Sequence, residues 1–176
     1  MKKLFWRFAL VSLTVVVTPV LTACGGDDDE TAVDNKTSTI SDYVEPCFQW
    51  GASMEQVKSY MNGSSWRLLY DQYLLNYVDA SEKHAITYMF RSVGDSTPGL
   101  YFCHVQYTGY TQERFSGIVA ETEKRYKTKL TRKEEKTDGG TAIGYTGYAT
   151  INAKNIGIMI MSDYAGEIDV TFAIPD

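Results

Sequence analysis

The 176-residue chain has few of the residues from which catalytic and metal sites are built. It contains two histidines, His84 and His104, and three cysteines, Cys24, Cys47 and Cys103. It lacks the His-Glu-x-x-His pattern of zinc peptidases, the Gly-x-Ser-x-Gly turn of serine hydrolases, a glycine-rich phosphate loop and a Cys-x-x-Cys redox pair. The sequence therefore favours a protein that is not an enzyme and that uses no cofactor and no metal.

No apolar run in the chain is long enough to span a membrane comfortably. The run from Phe8 to Leu21 has 14 residues, whereas a spanning helix takes about 20. Lys2, Lys3 and Arg7 precede it, which is the order of a secretory signal. The alternatives are an uncleaved helix, or an ordinary cleaved signal in which Cys24 has no role.

The residues that end this signal are Leu21-Thr22-Ala23-Cys24. They resemble the lipobox of bacterial outer-membrane lipoproteins, in which the cysteine thiol is diacylated and the chain is cut before it. The resemblance implies a signal peptide over residues 1–23, lipidation at Cys24 and an anchor in the membrane through that lipid. The acidic run Asp27–Glu30 resembles the surface-export signal of certain lipoproteins, which implies the cell surface; the alternative is a periplasm-facing anchor.

A positive net charge is also lacking. The signal removes three of the 17 basic residues and none of the 22 acidic ones, so the mature chain carries a net charge of −8, which argues against a nucleic-acid partner. Residues 24–42 are polar and acidic and are predicted to form a flexible tether. Residues 43–176 are predicted to form one domain. The basic residues between Lys124 and Lys136 are predicted to form a solvated face with a turn.

Two stretches carry helix-start signals. Ser53 is predicted to cap the first helix with Gln56 completing a capping box, Asn62-Gly63 to end it, and Thr111 to open the second helix. The residues predicted to face the core at helical spacing are Met54, Val57, Tyr60 and Met61 in the first helix, and Phe115, Ile118, Val119, Thr122, Tyr126 and Leu130 in the second.

Elsewhere the apolar residues alternate with period two, which indicates strands. The alternating sets are Tyr73, Leu75 and Tyr77; Ile86, Tyr88 and Phe90; Tyr101, Cys103, Val105 and Tyr107; part of 143–151; Ile156, Ile158 and Ile160; and Ile168, Val170, Phe172 and Ile174. The sequence thus predicts an α+β domain in which two helices lie on one face of a largely antiparallel sheet of six or seven strands.

The two helix starts resemble each other. Gly51-Ala52-Ser53-Met54-Glu55-Gln56-Val57 aligns with Gly109-Tyr110-Thr111-Gln112-Glu113-Arg114-Phe115, and each helix is followed by strands. This pattern predicts a tandem repeat of a helix-then-strands unit, with repeats at 43–107 and 108–176. The alternative is that two capped helices share such a motif by chance.

Gly51-x-Ser53-x-x-Gln56-Val57, closed by Asn62-Gly63, also resembles the Gly-Met-Thr-x-x-Gln-Val helix start of two related groups. These are the tandem-repeat β-lactamase inhibitor proteins and the small outer-membrane assembly lipoproteins of the SmpA/OmlA type. The resemblance implies the inhibitor-like fold. It does not carry a function over, because Ala52 stands where that pattern has Met and similar folds host unrelated functions.

Cys47 and Cys103 remain after lipidation of Cys24. In an exported chain they are candidates for a disulfide, and the alternative is two buried free thiols. His84 shares parity with Ile86, and His104 with Leu100 and Phe102. Each histidine is predicted to pack rather than to act as a base.

Aromatic residues are abundant, with 13 tyrosines and three tryptophans. Tyrosine suits both cross-strand pairing and recognition surfaces. The strand residues of opposite parity to the core set form a candidate binding face: Thr87, Met89, Thr146, Tyr148, Thr150, Met159 and Met161.

Three functions follow in order of preference. The first is a lipid-anchored binding or structural module for a protein or glycan partner. The second is a periplasm-facing assembly component like the SmpA/OmlA lipoproteins. The third is a hydrolase; a Cys47–His104 nucleophile pair is conceivable, but nothing in the sequence supports it.

Overall fold

An antiparallel sheet of eight strands organises the chain, in the order β1-β2-β3-β4-β8-β7-β6-β5. The computed structural model describes residues 42–95, 98–137, 140–162 and 166–175, with backbone alone for 135–137, 140 and 141. Its elements are α1 (Met54–Met61), β1 (Arg67–Tyr70), β2 (Leu74–Val78), β3 (His84–Arg91), β4 (Gly99–Thr108), α2 (Gln112–Tyr126), β5 (Thr131–Thr137), β6 (Gly140–Ile151), β7 (Lys154–Ser162) and β8 (Glu167–Ala173). The predicted α+β class with a largely antiparallel sheet is confirmed. The signal peptide, Cys24 and the tether up to residue 41 lie outside the described residues.

The predicted helix starts are confirmed. The Ser53 hydroxyl accepts a hydrogen bond from the Gln56 amide, and the Gln56 side chain accepts one from the Ser53 amide, which completes the capping box. The Thr111 hydroxyl accepts from the Arg114 amide at 3.0 Å. The predicted extension of the second helix to Leu130 is wrong, because Lys127 takes a left-handed conformation (φ 49°) that ends α2 at Tyr126.

Both helices bury their apolar stripes on one face of the sheet. Val57 and Met61 of α1 and Phe115 and Ile118 of α2 belong to a single core cluster with the inward strand residues. Two predicted core positions are wrong. Tyr60 is 56 % exposed because it lies on the flank of the α1 stripe, and Tyr73 is 83 % exposed because it lies in the turn before β2.

The sheet has more strands than the six or seven predicted, because neither edge strand shows the alternation of apolar and polar residues that identified the others. β1 has four residues that are all exposed, so no face of it alternates. β5 is the charged segment that was predicted to be a solvated face with a turn. Charged side chains on an edge strand discourage pairing with other chains, so their presence in β5 has a physical reason.

A β-bulge corrects the predicted face of Tyr101. Met89 pairs with Phe102 and Phe90 with Leu100, which leaves Tyr101 unpaired on β4. Leu100 and Cys103 are therefore both fully buried, and Tyr101 does not share the face of Cys103 as alternation alone predicted. The same shift separates His104 from Leu100, whose parity it was predicted to share.

The extended segment of residues 42–50, here called the N-terminal strap, packs on the core face. Pro46, Cys47 and Phe48 are buried, and the Phe48 ring meets Phe172 edge to face at 4.9 Å between centroids. Hydroxyls of two buried tyrosines bind its backbone: the Val44 amide donates to Tyr107 at 3.0 Å and the Cys47 amide to Tyr88 at 2.9 Å. Because Tyr43 also reaches Thr122 of α2 and Tyr88 reaches Met61 of α1, the strap crosses the sheet between the helices.

No helix within the described ranges is long and apolar enough to cross a membrane.

Candidate functional site

The sheet surface opposite both helices, here called the open face, consists of strand residues that alternate with the core. Register pairing aligns them in three rows across the sheet. The polar row is Tyr70, Asn76, Thr87, His104, Thr171, Met159, Thr146 and Thr131, from β1 to β5. The apolar row is Leu74, Met89, Phe102, Ala173, Gly157 and Tyr148, from β2 to β6. The third row is Arg67, Val78, Ala85, Gln106, Asp169, Met161, Gly144 and Lys133, from β1 to β5.

Formal charge is scarce on these three rows. Only Arg67, Asp169 and Lys133 carry it; the Arg67 guanidinium donates to the Glu82 carboxylate at 2.7 Å, and the Asp169 carboxylate lies 2.7 Å from Nε2 of His104. A sheet face that serves only solubility more often carries Lys and Glu. The open face therefore has the composition of a contact surface.

The polar row is held in place by side-chain hydrogen bonds. The Asn76 amide donates to the Thr87 hydroxyl at 2.9 Å. His104 Nε2 faces Asp169 Oδ1, and because a carboxylate accepts, that nitrogen carries the proton. These contacts fix the orientation of the side chains before any partner arrives, which lowers the entropy cost of binding.

The apolar row has its most exposed member at the β6 end. Tyr148 is 54 % exposed, while its register partner Gly157 has no side chain. A Cβ at Gly157 would lie 3.7 Å from Cε1 of the Tyr148 ring. The ring of Tyr148 thus lies beside a position that has no side chain.

The residues predicted as the binding face lie on the open face. Thr87, Met89, Met159 and Met161 are all partly buried in the rows, and Tyr148 projects from them. Their role in binding stays a prediction. Thr146 lies in the polar row beside Met159, and Thr150 is exposed on β6.

Sequence reasoning missed Phe102, His104 and Asp169 as members of this face. Alternation placed His104 and Phe102 on the face opposite Cys103, where the structure has them, but they were not included in the predicted binding face; the bulge at Tyr101 changes the face of Leu100 and Tyr101. Asp169 follows from the alternation of Ile168 and Val170, so the signal was present in the sequence.

The second histidine belongs to a separate charged cluster beside the strap. Nη2 of Arg114 lies 3.1 Å from Nε2 of His84; because a guanidinium only donates, Nε2 accepts and Nδ1 carries the proton. That proton points to Oδ2 of Asp79 at 2.7 Å. The same Nη2 lies 2.6 Å from Oδ2 of Asp42, so the cluster fastens the first described residue of the strap to β3 and α2.

Asp79 is the acidic centre of this cluster. Burial alone would raise the pKa of its carboxyl, but the hydrogen bonds from the His84 side chain, the Ser81 hydroxyl and the amides of Lys83 and His84 outweigh it and lower the pKa to about 2. The ionised form is thus the form that these donors stabilise. The cluster therefore has a structural role, which is to hold the start of the strap against β3 and α2.

Cys47 and Cys103 are free thiols in the structure and both are buried. The Cys103 thiol donates to the carbonyl oxygen of Cys47 at 3.4 Å. Burial raises the pKa of both thiols, and an amide hydrogen bond from Gln49 offsets part of the rise at Cys47. Neither thiol in this state is a ready nucleophile.

The conceivable Cys47–His104 nucleophile pair is not assembled. Cys47 belongs to the core cluster on the helix side, whereas His104 lies on the open face, so the sheet separates them. Each histidine instead forms an Asp–His pair, and the hydrogen bonds of the described residues bring no serine, threonine or cysteine nucleophile to either ring. Within the described residues no group of three or more His, Cys, Asp or Glu side chains could hold a metal ion.

One cleft of about 540 Å³ opens on the helix side, between the strap and the end of α2. Phe48, Tyr60 and Tyr126 give it apolar walls, and Glu45 and Arg125, which pair at 3.0 Å, close one side. Lys127 and the buried hydroxyl of Tyr126 also line this cleft.

No protein-family model, no curated protein and no solved structure matches this chain.

Proposed function

We propose that the chain is a lipid-anchored envelope protein that binds a protein partner through the open face of its sheet. The observation that carries the proposal is the composition of the three rows, in which aromatic, methionine, threonine and amide side chains replace the Lys and Glu of a merely soluble face. Methionine adapts to irregular partner surfaces, and aromatic residues are enriched in interface cores. The binding activity needs no enzyme chemistry, cofactor or metal.

A protein partner fits the apolar row better than a glycan does. Met89, Phe102 and Ala173 are adjacent positions on β3, β4 and β8, and together they offer aliphatic and aromatic area with no hydrogen-bonding groups. A glycan is the second candidate. The accessible Tyr148 ring and the threonine hydroxyls of the polar row support it, since sugars stack on aromatic rings and bond hydroxyls.

The lipid anchor rests on Leu21-Thr22-Ala23-Cys24 and on the signal before it. Acylation of Cys24 would tie the domain to the outer membrane, with the acidic run Asp27–Glu30 favouring the cell surface over a periplasm-facing position. The periplasm-facing assembly role of SmpA/OmlA lipoproteins is the alternative for the same anchor.

A tandem repeat accounts for the order of elements. α1 and α2 are each followed by four antiparallel strands, and the sheet order β1-β2-β3-β4-β8-β7-β6-β5 runs inward from both edges to the central pair β4 and β8. Two copies of one unit related by an approximate two-fold axis would produce this order. Superposition of residues 54–107 on 112–173 tests it, and helices that do not coincide when the strands are aligned contradict it.

Three experiments test the proposal. Labelled fatty acid should enter the wild-type protein and be absent from Cys24→Ala; an unlabelled wild type removes the anchor from the proposal. Protease treatment of intact cells should digest a surface-displayed domain and spare a periplasmic one. Partners captured on the mature protein from envelope extract are then tested with open-face variants, because only face-dependent binding supports the proposed site.

A further inference from the structure

Cys47 and Cys103 meet where the N-terminal strap crosses β4. Cys103 is fully buried and Cys47 is 2 % exposed, and the sulfur of Cys103 lies 3.4 Å from the main-chain oxygen of Cys47, 56 residues away in sequence. Tyr88 is the register partner of Cys103, and its hydroxyl accepts a hydrogen bond from the Cys47 amide at 2.9 Å. Tyr88 on β3 and Cys103 on β4 therefore both contact the strap at Cys47.

We infer that Cys47 and Cys103 become joined by a disulfide when the chain folds in the presence of a disulfide oxidant, and that this bond fastens the strap covalently to β4. The pairing is supported by the approach of the Cys103 sulfur to the main chain of Cys47 in the core. That the oxidant is met inside the cell rests on the proposed export of the chain, since disulfides persist in oxidising compartments.

The bond forms by two exchange steps. The Cys47 thiolate attacks one sulfur of the oxidant, forming a mixed disulfide and releasing one thiolate of the oxidant. The Cys103 thiolate then attacks the Cys47 sulfur, closing the bridge and releasing the second thiolate. The two cysteines lose two electrons and two protons, and the oxidant disulfide is reduced to two thiols.

The timing follows from burial. Thiolates are the reactive species, and burial in the folded core raises the pKa of both thiols. Oxidation is therefore favoured before the strap docks, while both sulfurs are accessible to the oxidant. After docking the same burial shields the bridge from reductants, so the bond persists once formed.

The bridge has a specific structural consequence. The loop that it closes contains α1, β1, β2 and β3, so the bond ties the first helix and three strands to the point where the strap enters the core. Without it the strap is held by hydrogen bonds such as those of Tyr107 and Asn152 and by the Asp42–Arg114 ion pair. A pull on the N-terminal side of the strap would then be resisted by noncovalent contacts only.

The test uses the full chain, and the peptide mapping needs no variant. Protein isolated from producing cells is denatured with N-ethylmaleimide present, digested without reductant and mapped by mass spectrometry. A second portion is reduced, unfolded and refolded with mixed oxidised and reduced glutathione before the same treatment. We expect in both portions a linked peptide pair joining Cys47 to Cys103, lighter than its separate peptides by two hydrogen atoms and lost on reduction. Reduction should also lower the urea midpoint of the wild type and leave that of Cys47→Ser unchanged.

The outcomes separate the two premises. If Cys47 and Cys103 are both alkylated after refolding with glutathione, or if either is bridged to Cys24 or to a second molecule, the inference is overturned. If the bridge forms on refolding but is absent from the cellular protein, the pairing stands and the proposed export to an oxidising compartment is wrong.

Discussion

The hydroxyl of Tyr107 lies 3.0 Å from the amide nitrogen and 3.4 Å from the carbonyl oxygen of Val44, so one buried side chain on β4 meets both main-chain polar groups of a strap residue. The ring is fully buried, and burial raises the pKa of its hydroxyl, which keeps it protonated and able to donate. The strap has no strand partner for its own amides there. The Tyr107 hydroxyl therefore takes the place of the main-chain hydrogen-bond partners that a neighbouring strand would supply.

Tyr107→Phe should destabilise the fold by about 1–3 kcal/mol, because it leaves the Val44 amide buried without an acceptor. Urea unfolding followed by tyrosine and tryptophan fluorescence measures the change. Tyr148→Phe is the matched control: its ring is 54 % exposed, and we expect a change within about 0.5 kcal/mol. Equal effects for the two variants would mean that the hydroxyl does not hold the strap.

The sequence predicted those parts of the fold that local patterns encode. Capping of α1 and α2 by Ser53 and Thr111 depends on residues within one helical turn, and alternation identified the central strands, whose two faces differ in polarity. The strap was not foreseen because Val44-Glu45-Pro46-Cys47-Phe48 has neither helical nor strand period. Its order comes from side chains that are distant in sequence, such as Tyr88 and Tyr107.

The same distinction applies to the candidate site. Parity predicted that Thr87, Met89 and Met159 face away from the helices, because each strand around them alternates without interruption. Parity failed on β4, because the unpaired residue Tyr101 breaks the alternation and places Leu100 on the core face. A bulge is set by the register of the neighbouring strand, which no single-strand pattern contains.

Gly99→Ala should be strongly destabilising, by about 3 kcal/mol or more. Gly99 has φ +87°, and a Cβ there would lie 2.2 Å from the carbonyl oxygen of Gly51, which is backbone that cannot swing aside. The approach is close because Leu100 exchanges backbone hydrogen bonds with Gly51 and Ala52. Thermal or urea unfolding measures the loss. Gly94→Ala, in the same connection with nothing within 4 Å of its Cβ, should stay close to wild type; a stable Gly99→Ala protein would contradict the docking of the strap end on β4.

Asp79→Asn should remove an acid-sensitive part of the stability. The folded pKa of Asp79 is lowered to about 2, below its unfolded value, so its contribution is complete above about pH 4 and is lost as the pH falls from about 4 to about 2. We expect the variant to be less stable than wild type at pH 7 by on the order of 1–2 kcal/mol, allowing for solvent screening of an Asp79 side chain that is 18 % exposed.

The pH dependence of that difference is the measurement. Urea midpoints of wild type and Asp79→Asn should converge as the pH approaches 2. Asp71→Asn is the control, because Asp71 is 52 % exposed in its pair with Lys58 and such surface pairs contribute little. A constant gap between wild type and Asp79→Asn from pH 7 to pH 2.5 would show that the carboxylate charge is not what the cluster uses.

The open face makes the most direct prediction about function. Tyr148→Ala and Met159→Lys should each weaken binding of a captured partner by at least about 1 kcal/mol, the usual size of an important interface contact. Tyr148 supplies exposed ring area at the end of the apolar row. Met159 lies in the polar row between Thr171 and Thr146, where a lysine would bring an unpaired charge into the contact. Isothermal titration calorimetry with the purified partner gives both numbers.

The control for surface tyrosine loss is Tyr60→Ala, because Tyr60 is 56 % exposed but lies on α1 on the opposite side of the sheet. It should bind as wild type does. In urea unfolding, all three variants should keep the wild-type free energy of unfolding within about 0.5 kcal/mol. Charge reversals at Lys124 and Arg125 on α2 test the rival surface. If those reversals abolish binding while Tyr148→Ala and Met159→Lys leave it unchanged, the partner contacts the helical side, and the neutral composition of the open face needs another explanation.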